Sequence, residues 1–418
     1  MPLKRVVITG MGAVSPYGKG SDLLFSLLLA GENAVQRLES LENISGLGPR
    51  VAAVVPDIGI KEIPRQMRRS MSSMSAYAYI AALEALDQAG LDVPATEKGR
   101  LGIALGSTMG SPENLESFFR QYISSTSVDQ VKSMLFFRIM SNSAAANLAQ
   151  ALGVTGRVLS PAAACSSGCQ AIGLGYEAIA FGRQDYMLCG GTDEYHPLVS
   201  GTFDIMAAAS TAYNDAPALT PRPFDMRRDG VVCAEGAGIV FMESLDSALH
   251  RNADILAEIA GFASTCDIGS IASPSSDSIA ACIKAALEDA KIASKDVGYV
   301  NAHATGTELG DIAESQAIAS IFGGTVPVSS LKGHIGHTMA ASGALESIAA
   351  IHMLNKKIII PTHNLEEPDP RCSEIFLPLE RIAFTKGLVV KNSFALGGTN
   401  CALVLKRFNS ENAIRGMA

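Results

Sequence analysis

The sequence predicts a layered α/β protein made of two similar halves. Three observations carry that prediction. Short apolar runs alternate with Ala-rich helical stretches along the whole chain, the pattern of buried strands covered by helices. The second half repeats the order of the first. The composition is 48% hydrophobic and 18% charged over 418 residues with 39 glycines, which suits a large dry core with close backbone approaches. At about 100–200 residues per domain this length suits two units, which we place at 1–250 and 251–418.

In chain order, Val6 to Gly10 reads as an apolar strand ending in a glycine turn. Leu23 to Ala30 reads as a short helix framed by Ser21-Asp22 and Gly31. Ser70 to Ala89 places Met71, Met74, Ala78 and Ala82 near one helical face. Gly102 to Gly106 is a buried strand and Ser141 to Leu152 an Ala-rich helix. Arg157 to Ser160 is a strand feeding a small-residue turn, and Cys169 to Gly182 reads as a buried helix. Tyr186 to Gly191 and Ala237 to Glu243 are strands. The second half then gives strand Ala257 to Ser264, amphipathic helix Asp277 to Lys291, strands Val297 to Ala302 and Pro327 to Ser330, and helix Gly343 to Leu354. Gly387 to Asn392 and Ala402 to Lys406 close the pattern, and Asn409 to Ala418 reads as a frayed tail.

Composition also excludes function classes. A net charge of −8 argues against nucleic-acid binding. Cysteines 165, 169, 189, 233, 266, 282, 372 and 401 form no C-x-x-C pair and no metal-ligand spacing. They read as reduced core thiols of a cytoplasmic protein, with no metal site. The N-terminus runs straight into a strand, so no signal peptide is expected. The longest apolar runs fall short of the ~18 residues a membrane span needs.

Chemistry concentrates at Cys165, in Ala164-Cys165-Ser166-Ser167-Gly168. Small neighbours permit a sharp strand-to-helix turn, and a helix N-terminus favours thiolate over thiol. His303 follows an apolar strand and precedes Thr305 and Thr307, while Asp311 and Glu314 follow at helical spacing and could orient a basic group. His337 stands five residues after Lys332; His334 between them reads as a spacer. Asn392 to Asn400 form a glycine-rich turn whose backbone N–H groups could approach a ligand as oxyanion donors. It lacks the Lys-Ser/Thr that closes a nucleotide loop. One activated sulfur and two separated histidines suggest covalent acyl chemistry. Arg65, Arg68 and Arg69 share one helical face.

These blocks resemble the beta-ketoacyl-acyl-carrier-protein synthases of the type I/type II kind, in the thiolase superfamily. The likeness covers nearly the whole chain, from Val6-Val7-Ile8-Thr9-Gly10-Met11-Gly12 through Arg222-Pro223-Phe224-Asp225 and Arg228-Asp229-Gly230 to Gly397-Gly398-Thr399-Asn400. It implies a thiolase-like duplicated α-β-α-β-α layered sandwich, usually dimeric, with a homodimer or a heterodimer with a related subunit both open. It implies that Cys165 takes an acyl chain from the phosphopantetheine arm of an acyl carrier protein, with no diffusible cofactor. His303 and His337 would promote decarboxylation of a malonyl thioester, and Lys332 with Asp311 and Glu314 would support them. The N–H groups of Cys165 and Leu396 would form the oxyanion hole. Thr305 and Thr307 would bind pantetheine, Phe394 and Met109 would contact substrate, and Arg65, Arg68 and Arg69 would dock the acidic carrier.

The chain departs from the family pattern in two places. The usual Phe-Gly-Phe-Gly-Gly is Phe394-Ala395-Leu396-Gly397-Gly398, so the second phenylalanine of the acyl-pocket gate is Leu396. The usual His-Gly-Thr-Ser-Thr is His303-Ala304-Thr305-Gly306-Thr307. These changes leave open a fatty-acid or a specialised polyketide or polyene product. The other readings are a non-catalytic chain-length partner, a CoA-dependent thiolase and a cysteine hydrolase.

Overall fold

The computed structural model describes residues 3–91, 99–129, 131–269, 271, 273–372 and 374–409. The expected tail after Asn409 lies outside them. Ten strands form the path of the main sheet: β1 Val6–Ser15, β2 Leu101–Gly106, β3 Val158–Leu159, β4 Tyr186–Asp193, β5 Gly236–Ser244, β6 Ala257–Cys266, β7 Tyr299–Asn301, β8 Val328–Ser329, β9 Leu388–Phe394 and β10 Thr399–Lys406. Their spatial order is β8-β7-β9-β10-β6-β1-β5-β4-β2-β3. Read from either outer edge inward, the two halves have one order: third strand, second, fourth, fifth, first. Directions match too. In each half the second strand runs parallel to the third and fourth. The fifth runs antiparallel to the fourth and the first. The first strands of the two halves, β1 and β6, pair antiparallel where the halves meet.

Helices complete the layers. α1 Ser73–Gln88 and α2 Ser143–Leu152 cover the first half, and α4 Ser276–Ala290 and α5 Glu308–Phe322 cover the second. Between the halves lie α3 Ser167–Ala180 and α6 Ser342–Lys356, which touch each other and strands of both. α6 is buried at every position from Ser342 to Leu354, so it is apolar nearly all round rather than on one stripe. Glycine lets these central helices approach. A Cβ on Gly168 would lie 2.2 Å from the Ala340 carbonyl oxygen, and one on Gly343 would lie 2.4 Å from the Cys169 nitrogen.

Most expected strands and helices are present, with ends shifted by a few residues. The first strand differs more. It does not turn at Gly10 but continues to Ser15, with a register irregularity between Ile8 and Gly10. Gly10 serves packing instead: a Cβ there would meet the Ala85 oxygen of α1 at 2.0 Å. The strand expected at 157–160 pairs only at Val158–Leu159. All eight cysteines are free thiols. Among the described residues, no helix is long and apolar enough to cross a membrane.

Candidate active site

Cys165 sits in a 3₁₀ turn, Ala164–Ser166, directly ahead of α3. Ala164 takes φ +45°, a left-handed conformation that costs a non-glycine residue energy and sharpens the turn. The turn's bonds run from Ser166 N–H to Ala163 O and from Ser167 N–H to Ala164 O, leaving the Cys165 N–H out of both. Ser166 Oγ lies 2.9 Å from the carbonyl oxygens of Ser393 and Thr399, tying the turn to β9 and β10.

The second half brings the histidines to this sulfur. β7 ends at Asn301 and delivers His303; β8 leads into a single helical turn, Lys332–Ile335, after which Gly336 with φ +70° turns the chain to His337. His337 is fixed by backbone bonds from its N–H to Val232 O at 2.8 Å and from Ala234 N–H to its own oxygen at 2.9 Å. The two imidazoles meet edge to face with centroids 5.2 Å apart. The Phe394 ring lies 6.0 Å from that of His303. Cys165, His303 and His337 line one cavity of about 550 Å³, together with Phe203, Thr305, Thr307, Phe394 and Leu396.

Electrostatics follow from burial. Desolvation pushes the Cys165 thiol up to about 12, and the nearby Lys332 only partly opposes it. Burial thus works against the thiolate that the helix N-terminus favours. Burial, with Lys332 and Lys391 adding to it, holds both imidazoles well below their ordinary value, so each is neutral at pH 7. His337 Nδ1 meets Ser342 Oγ at 2.9 Å. His303 Nδ1 and His337 Nε2 are buried without a hydrogen-bond partner.

The expected supporting residues divide. Glu314 accepts from the N–H of His303 at 2.9 Å, the N–H of Ala304 at 2.7 Å and Asn392 Nδ2 at 3.0 Å, so it holds the first histidine loop directly. Asp311 does not reach the histidines. It accepts from Phe224 N–H at 2.8 Å and Gly306 N–H at 3.2 Å, and Arg228 approaches at 3.8 Å. It therefore braces the segment carrying Thr305 and Thr307, whose hydroxyls lie 3.0 Å apart. Lys332 is fully buried and pairs with neither acid; its Nζ donates to Glu346 Oε1 at 2.6 Å.

Two further placements differ from expectation. Met109 does not line the cavity; it is 43% exposed on the surface of the chain. His334 is no spacer: it is buried, its ring nitrogens face the carbonyl oxygens of Glu32 and Pro361 at 3.2 and 3.3 Å, and its ring lies 4.9 Å from that of His363. The glycine-rich turn does connect paired strands. Gly397 and Gly398 both adopt positive φ, and Leu396, 36% exposed, has an N–H that none of the turn's backbone bonds claims. Arg65 and Arg68 lie in a one-turn helix, Arg65–Arg68, that Arg69 follows, and with Arg138 they line a surface hollow.

Glu346, Lys391 and Asp193 were not anticipated. Lys391 Nζ lies 2.7 Å from Glu346 Oε2, outside hydrogen-bonding angles, and donates to Ser393 Oγ at 3.3 Å and to Asn392 O. Asp193 accepts from Ser107 Oγ at 2.8 Å, Thr108 N–H at 3.0 Å and Ala340 N–H at 2.8 Å, and burial raises it to about 6. The signals were present for two of them: Glu346 is the one carboxylate in an otherwise uncharged run from Ser342 to Asn355, and Lys391 is a lone charge inside an apolar strand.

A strand-to-helix cysteine facing two neutral histidines across a duplicated, thiolase-like sandwich defines a cysteine-dependent condensing enzyme. The comparisons assign the family. Residues 3–248 match the beta-ketoacyl synthase N-terminal domain and residues 256–366 its C-terminal domain, and the chain belongs to the beta-ketoacyl synthase family. It is 34% identical to 3-oxoacyl-[acyl-carrier-protein] synthase 2 of Vibrio cholerae over 97% of this chain and 100% of that one. A beta-ketoacyl synthase from Burkholderia phymatum superposes with a TM-score of 0.94 at 41% identity, covering 97% of this chain and 100% of that one. A type II PKS ketosynthase, in complex with its acyl-carrier protein and bound to the hexaketide, superposes with a TM-score of 0.89 at 29% identity, covering 98% and 100%.

Proposed function

We propose that this chain condenses an acyl group held on Cys165 with malonyl-acyl-carrier protein. The observation that carries the reading is one cavity in which Cys165 faces two buried, neutral imidazoles. In the first step the Cys165 sulfur attacks the acyl thioester of a carrier and passes its proton to a neutral imidazole, which hands that proton to the departing carrier sulfur as the C–S bond breaks, releasing the carrier thiol and leaving the imidazole neutral again. The N–H groups of Cys165 and Leu396 receive the oxyanion. In the second step a malonyl thioester loses CO₂, and His303 and His337 donate hydrogen bonds to the enolate oxygen. The enolate carbon attacks the Cys165 thioester and expels the Cys165 sulfur as a thiolate, which takes a proton from solvent, giving a 3-oxoacyl carrier and the free thiol. Thr305 and Thr307 hold the pantetheine arm on the cavity wall.

The substrates arrive on carrier protein, which the arginines at 65, 68 and 69 suit: among the described residues no ion pair engages them. Exposed Met109, Phe119, Ile123 and Phe136, with β3 at the sheet's open edge, support pairing with a second copy or a related subunit. Eight free thiols support a cytoplasmic setting. The two halves carry separate duties, 1–250 the nucleophile and 251–418 the histidines. Intact-mass spectrometry after incubation with acyl carrier protein tests the reading. An added acyl mass that Cys165→Ala abolishes, followed by a 3-oxoacyl product with malonyl carrier, supports it. Free acid as the sole product would instead indicate a hydrolase.

A further inference from the structure

The Cys165 sulfur lies on a boundary. On its entrance side is the cavity of about 550 Å³; on the other side it joins a small apolar cluster with Cys233 and Met339, against which Tyr195 and Val199 pack. Phe203 and Ala395 belong to both regions, whereas Cys233, Met339, Tyr195 and Val199 do not line the cavity. The carrier's arm delivers the acyl group through the cavity, and the malonyl thioester must afterwards face His303 and His337 in that same cavity. The acyl group on Cys165 must therefore turn away from it, into the cluster. We propose that Tyr195 is a specificity-determining residue: it walls off the cluster and restricts the acyl group on Cys165 to a short chain. This rests on the condensation reading of the site.

The cluster members differ in how far they can yield. Met339 is unbranched, with a polarizable thioether that repacks readily. Cys233 and Val199 are small. Tyr195 is the largest side chain on that side of the sulfur, and it is pinned at both ends. Its N–H donates to Glu235 Oε2 at 2.7 Å, and its hydroxyl lies 3.0 Å from Ser200 Oγ, on the helix Pro197–Ile205 that also carries Val199 and Phe203. Its neighbours are anchored too. Asp193 accepts from Ala340 N–H at 2.8 Å, Glu194 Oε2 accepts from Met74 N–H at 3.2 Å, and His196 Nε2 meets Glu116 Oε2 at 2.9 Å. Every residue from Asp193 to His196 thus holds a long-range bond, so the ring cannot swing aside with its backbone. Methylenes pushed against such a wall force off-rotamer side chains and backbone shifts. Tyr195 is only partly buried, so removing its ring opens the cluster toward the surface of the chain, room that a longer acyl group then occupies.

Acyl carrier protein charged separately with acetyl, butyryl, hexanoyl, octanoyl and decanoyl groups tests the wall, with the acylation rate of Cys165 read by intact mass. In the native enzyme the rate should fall by about tenfold or more at the chain length that first meets the ring, the scale on which a filled apolar pocket refuses an extra methylene. Tyr195→Ala should move that fall to longer chains and raise the decanoyl-to-acetyl rate ratio by about tenfold or more. Tyr195→Leu, which keeps an apolar filler, should raise the ratio less, and it carries the test where the alanine variant does not fold. A native enzyme that loads decanoyl as fast as acetyl would overturn the inference, as would an unchanged ratio in the folded variants or loss of fold in both. A native enzyme that takes none of these groups onto Cys165, or takes them and forms no 3-oxoacyl product with malonyl carrier, would instead sink the condensation reading.

Discussion

Glu314→Gln isolates what a buried carboxylate does for the first histidine. The substitution is nearly isosteric, so packing stays constant while hydrogen bonding changes. Oε1 accepts from His303 N–H at 2.9 Å and Asn392 Nδ2 at 3.0 Å, and Oε2 accepts from Ala304 N–H at 2.7 Å. A glutamine keeps one oxygen. Placed at Oε1 it retains two bonds and points its NH₂ at the Ala304 N–H, donor against donor. One charge-assisted bond, worth about 1.5–3 kcal/mol, is lost, and a buried donor is left unpaired at about 1–3 kcal/mol. The two terms overlap, so the net cost is about 3 kcal/mol. Urea unfolding monitored by circular dichroism reads it as a lower midpoint at unchanged slope. Because the lost bond sits beside His303, condensation with malonyl carrier should fall by more than acyl loading of Cys165. A midpoint equal to the native one, or equal losses in both half-reactions, would refute the reasoning.

Other predictions test separate links. Gly168→Ala puts a Cβ 2.2 Å from the Ala340 oxygen, so α3 and the residues beside α6 must part; overpacking of this kind costs about 1–3 kcal/mol, and acyl loading of Cys165 should drop, read by intact mass. Burial raises Asp311 to about 7 from an ordinary value of 3.8. A carboxyl raised in the folded state stabilises most below its unfolded value and loses that contribution as pH rises through the folded one. The penalty of Asp311→Asn should therefore be largest near pH 4 and shrink toward pH 7, read by unfolding midpoints across that window. Replacing Arg65, Arg68 and Arg69 together by Glu should raise KM for acyl carrier protein while leaving transfer from a small acyl thioester unchanged; equal effects on both donors would remove the arginines from docking.

The sequence by itself determined the strand–helix alternation, the duplicated order and the blocks around Cys165, His303, His337 and Lys332. Those are local facts: apolar period, glycine and small residues at turns, and short motifs next to the strands that deliver them. Tertiary structure decided what the charges do. Lys332, Asp311 and Glu314 read as joint support for the histidine pair, yet the partner of Lys332 is Glu346, fourteen positions on in a helix buried on all sides. Lys391 joins the same carboxylate from another strand, and Asp311 faces Arg228 and a loop rather than a histidine. The sign of the Cys165 shift was decided the same way, because desolvation depends on the whole enclosure of the sulfur while the helix terminus is written in the adjacent residues. Local chemistry is a property of neighbours in sequence; ion pairing and burial are properties of neighbours in space, and only the folded layers bring those neighbours together.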